Sequence, residues 1–70
     1  MAPQLEKQYI FSATPIAGAR KLNAWEAEGY MTRMTGWHHV HVSDDGKVSA
    51  YDYTGYHMQN VYIWEKSSLL

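Results

Sequence analysis

Seventy residues with no cysteine and a net charge of −1 set the first limits. Disulfides and thiolate zinc sites are excluded. The basic residues Lys7, Arg20, Lys21, Arg33, Lys47 and Lys66 are scattered, without the stripe that gives general nucleic-acid affinity.

A chain this short hides only ~60% of the surface its unfolded form exposes. The expectation is one domain over residues 1–70, ordered from about 6 to 66. It should gain stability from a partner subunit, a histidine-bound metal or unusually good packing. No apolar run approaches the ~20 residues of a membrane helix, and the opening "MAPQLEKQY" has no signal-type hydrophobic segment. Lack of cysteine fits the cytoplasm. Three tryptophans, six tyrosines and one phenylalanine exceed what one small core covers, so some should face a partner or ligand.

In chain order, Met1–Leu5 read as a loose end. Glu6–Ala13 ("EKQYIFSA") is rich in β-formers and predicts a first strand. The next segment predicts a helix, with Thr14 as N-cap and Pro15 at the first helical position. Gly18 would lie inside it and Gly29 would end it. Leu22 and Trp25, three apart, would share its core face. Glu26 and Glu28 would be solvated, and Met31 and Met34 would fill gaps near the hairpin.

Tyr30–Ser43 reads as a strand bent at Gly36, and Asp44–Gly46 as a hairpin turn. A three-residue turn sets Val42 against Val48 and Val40 against Ala50, so apolar residues meet. The other face then carries Trp37, His39, His41, Ser49, Tyr51 and Tyr53. Thr54–His57 reads as a turn or bulge, Met58–Lys66 as a last strand, and "SSLL" as a frayed tail. The fold class is α+β: one helix on one face of a four-stranded, mostly antiparallel sheet, ordered β-α-β-β-β. A lone helix covers one face, so the aromatic face is left to a partner.

Leu22, Trp25, Glu28, Gly29 and Tyr30 form an EGW/EGY-type motif at a helix end. Together with Tyr9–Phe11 and Val61–Trp64, over Glu6–Lys66, the chain resembles small bacterial and phage domains of unknown function. These run strand, helix, hairpin, final strand. The likeness implies that fold and a small regulatory or inhibitory protein. It brings no catalytic residues, and the histidine-rich hairpin is not part of the family pattern.

Three chemistries compete for the hairpin. His39 and His41 form an H-x-H pair that can chelate a metal, with His57 as the remaining ligand should Thr54–Tyr56 fold back. Histidines beside Tyr51 or Tyr53, with Lys47, could serve a small phosphodiesterase or nuclease. The third chemistry is aromatic recognition, which uses these side chains more naturally, because they offer large flat area at low entropy cost.

The reading is therefore a non-enzymatic binding protein without a cofactor, a homodimer or higher homo-oligomer. Arg33, Trp37, His39, His41, Lys47, Tyr51 and Tyr53 would contact a host or partner protein, or a small nucleotide-like ring ligand. A homodimer formed through the same face would hide the surplus aromatics.

Overall fold

The computed structural model describes residues 5–55 and 57–69. Its elements are β1 (Leu5–Ser12), β2 (Arg20–Lys21), α1 (Ala24–Arg33), β3 (Trp37–Val42), β4 (Val48–Asp52) and β5 (His57–Leu69). One helix packs on an open antiparallel sheet, five strands rather than four. The order is β1-β5-β4-β3, and β2 also pairs with β5. The long β5 organises the sheet. Its first residues pair with β4 (Val48↔Val61, Tyr51↔His57), and the rest pair with β1, from Ser12↔Tyr62 to Leu5↔Leu69. Ser67–Leu69 are thus strand rather than a frayed tail, and Leu5 belongs to β1. Met1–Gln4, Tyr56 and Leu70 lie outside the described residues, and with them most of the loose-end reading and the fold-back at Tyr56.

The helix sits later than the sequence predicts. Thr14 does not cap it. Its backbone N–H is taken by Ser12 Oγ at 3.2 Å, and that hydroxyl donates to the Thr14 carbonyl at 2.8 Å. Gly18 lies in a turn at φ +73°, left-handed space that opens readily to glycine. The cap is Asn23. Its side chain accepts from Glu26 N at 2.8 Å, while the Glu26 carboxylate accepts from Asn23 N at 3.1 Å. This reciprocal capping box satisfies two backbone donors left free at a helix start. Gly29 is therefore interior, and α1 continues through Tyr30–Arg33, residues expected to open a strand.

The buried hydrophobic residues are Leu22, Ala27, Met31, Val48, Ala50, Met58 and Ile63. They lie where α1 covers β4 and β5. Tyr30 extends this layer toward β1, with its ring 4.6 Å from Tyr9 and 6.0 Å from Phe11. Leu22 precedes the helix and donates its N–H to Ile63 O at 2.9 Å. Trp25, expected beside it in the core, stands 85% exposed on the first turn. Gly46 joins the hairpin to this layer: it is buried, at φ +94°, and a Cβ there would fall 2.6 Å from the Leu22 carbonyl oxygen.

An ionic strap closes the helix side. Arg20 makes a two-bond fork to Glu26 (2.8 and 2.9 Å) and reaches Glu65 at 3.3 Å, with Lys7 3.8 Å from Glu65. The hydrogen-bonded Arg20 guanidinium, aided by the Asn23 N–H, holds the Glu26 carboxyl down to about 2.

Candidate binding surface

On the helix-free side the hairpin and the start of β5 gather imidazole and phenol rings. Val42 pairs with Val48 and His41 with Ser49, as the sequence predicts. The register then shifts: His38 pairs with Tyr51, so His39 and Val40 together oppose Ala50. His39 occupies φ +52°, left-handed space in which histidine is over-represented among non-glycine residues. One extra residue reverses the faces. His38 turns outward and Trp37 turns inward, packing against the core margin. The expected order, with Trp37 outside and His38 opposite, is inverted here.

A second bulge lies alongside. Asn60 is at φ +56°, and Gln59–Asn60 fall between Met58↔Ala50 and Val61↔Val48. His57 is thereby paired with Tyr51, where the two rings stack at 4.2 Å and 9°. His39 meets the Tyr51 ring edge-on at 6.1 Å. His38 lies 5.2 Å from both His39 and Tyr53. His38 Nε2 also lies 3.1 Å from the Asp52 carbonyl, which fixes that ring. Tyr51 is 41% and Tyr53 81% exposed. The Asp52 carboxylate turns to the Thr54 N–H and hydroxyl, at 2.9 and 2.7 Å.

Of the residues singled out from sequence, His39, Tyr51 and Tyr53 come together, joined by His57. His38 completes the group. Sequence alternation hides it, because only the bulge brings it out. His41 and Lys47 instead line a neighbouring concave region of about 550 Å³ with Asp44, Asp45 and Asn60. There Asp45 accepts from Ser43 Oγ and, at 2.7 Å, from the Tyr62 hydroxyl. These bonds, Ser43 first, hold the Asp45 carboxyl well below the usual range. The bond to Asp45 raises the Tyr62 phenol. Lys21 and Lys47 sit 4.6 and 5.7 Å from the Tyr62 ring centre. Arg33 is on α1, bonded to the Gly29 carbonyl at 3.0 Å, and lines a concavity on the helix side.

Among the described residues, no group of three or more His, Cys, Asp or Glu side chains is placed to hold a metal. His39 and His57 flank Tyr51 from opposite strands, and His41 belongs to the neighbouring concavity. No helix among the described residues is long and apolar enough to cross a membrane. No protein-family model, curated protein or solved structure matches this chain.

Proposed function

We propose that this protein is a non-catalytic cytoplasmic binding module of regulatory or inhibitory type, and that its helix-free ring surface docks a partner protein. One observation carries the reading: His38, His39, Tyr51, Tyr53 and His57 form one contiguous ring cluster around Tyr51, with His38 half-buried and the other four exposed. The concavity beside Tyr62 and the one over α1 are lined by other residues. A patch of exposed rings suits a protein partner, whereas a small ring ligand needs a pocket with converging polar groups.

The partner segment should present carboxylates. The patch offers imidazole and phenol donors, and the adjacent Asp52 carboxylate is occupied by Thr54. Phosphoryl chemistry draws less support, because the cations it needs sit elsewhere: Lys47 by Tyr62 and Arg33 on the helix.

The test is selection of displayed peptides on the intact chain. Enriched peptides should carry Asp or Glu and bind Tyr51→Ala/Tyr53→Ala at least about tenfold more weakly. Peptides that bind wild type and double variant equally would refute the proposal.

A further inference from the structure

The opposite surface holds three features that the binding reading leaves unused. Trp25 is the most exposed large hydrophobic side chain among the described residues. Gly29 sits inside α1, where glycine is about 1 kcal/mol worse than alanine. Its place is not forced by packing, since a Cβ would meet only the Arg33 guanidinium at an ordinary 3.7 Å. Finally, neither Glu28 nor Arg33 has an ion-pair partner among the described residues, while Glu26, the third charge of α1, is paired with Arg20.

These features share one geometry. Trp25, Gly29 and Thr32 follow one another at spacings of four and three, which makes a single outward seam. Glu28 flanks the seam on one side and Arg33 on the other. Five residues apart, they cannot pair within one helix. In two parallel helices, five is the offset at which a flanking residue of one meets the opposite flank of the other. Arg33 is already turned that way. Its Nε donates to the Gly29 carbonyl at 3.0 Å, so the side chain folds back toward the level of residue 28. A concave region of about 520 Å³ opens over the ridge, lined in part by Trp25, Gly29, Tyr30 and Arg33, and offers room for an indole.

We infer that α1 is a homodimerisation surface: two copies pack their helices in parallel along Trp25, Gly29 and Thr32, and Glu28 of each pairs with Arg33 of the other. Gly29 lets the backbones approach, which accounts for a glycine that the helix alone does not require. The ring surface lies on the other side of the sheet and stays free in both copies, so the dimer presents two docking patches.

Sedimentation equilibrium on the full chain tests this. Wild type should dimerise. Trp25→Ala should weaken the dimer by more than about tenfold, as for a central aromatic anchor. Glu28→Arg or Arg33→Glu alone should weaken it about tenfold through like-charge contacts, and the double exchange Glu28→Arg/Arg33→Glu should return it to within about threefold of wild type. All these positions are exposed, and matching urea midpoints confirm that each variant folds. A monomer at every concentration, a dimer indifferent to the reversals, or a double exchange without rescue would each overturn the inference. A dimer broken by Tyr51→Ala/Tyr53→Ala instead would assign self-association to the ring surface.

Discussion

The two sides of the sheet use similar residues for opposite ends. On the helix side, Tyr9, Phe11 and Tyr30 pack ring on ring over Ile63, and the charges above them are matched through Arg20, Glu26 and Glu65. On the other side, Tyr51 and His57 stack just as closely, yet among the described residues no element closes over them and no ion pair stands beside them. Aromatic packing therefore does not distinguish the core from the proposed contact surface in this protein. What distinguishes them is whether an element closes over the rings. The contrast can be broken, or sharpened, from either side.

The largest effect should come from the covered side. Ile63→Ala opens a void beneath α1 in a core whose largest fully buried members are Met31, Ile63 and Val48. With so few neighbours able to collapse inward, the loss should be about 3–5 kcal/mol. Such a loss would unfold much of a domain this small, and urea denaturation reads it directly.

Gly46→Ala should cost somewhat less, about 2–3 kcal/mol. The new Cβ would meet the Leu22 carbonyl oxygen at 2.6 Å from a backbone already at φ +94°. The hairpin could relieve that contact only by lifting off the start of α1. Loss of near-ultraviolet tyrosine and tryptophan signal ahead of global unfolding would locate the damage at that junction.

Much of this layout is legible in the sequence. Alternation through Val40, Val42, Val48 and Ala50 marks the hairpin, and Asp44–Gly46 marks its turn. The Val42↔Val48 pairing follows from matching apolar residues. The helix is misplaced because Thr14–Pro15 is a good local start signal that loses to the capping box of Asn23 and Glu26. Only the second site also gains the Arg20 fork and burial of Ala27 and Met31. Trp25 follows that shift, since an outward position in the new frame replaces an inward one in the old. His38 is hidden for a different reason. Strand alternation assumes one residue per step, and the bulge at His39 breaks that count without a glycine to announce it.

Asn23→Ala tests the frame of the helix at about 1 kcal/mol, the usual worth of an N-cap. It should fray the first turn and loosen Glu26 from its backbone partner. The same site gives the pH response. The Glu26 carboxyl is near 2 in the fold against 4.5 without its partners, chiefly through the Arg20 hydrogen bond. A folded value below the unfolded one means that the contribution is complete above about 4.5 and is lost as pH falls toward 2. Wild type should lose stability across that window. Glu26→Gln should lose less, and the two acid profiles should converge near pH 2. An unchanged difference between them would disconnect the strap from stability.

The smallest effect belongs to the open side, and its smallness is the point. Tyr53 is 81% exposed, and its ring contact is with His38 at 5.2 Å. Its removal buries no polar group and opens no cavity, so Tyr53→Ala should leave the urea midpoint within about 0.5 kcal/mol of wild type. Tyr51 is more involved, stacked on His57 and edge-on to His39, and its loss should cost up to about 1 kcal/mol. Binding should respond in the other sense, with both substitutions weakening peptide capture far more than they weaken the fold. If Tyr53→Ala instead destabilised the domain as a core substitution does, the exposed rings would be holding the sheet together, and the division between a covered side that folds and an open side that binds would fail.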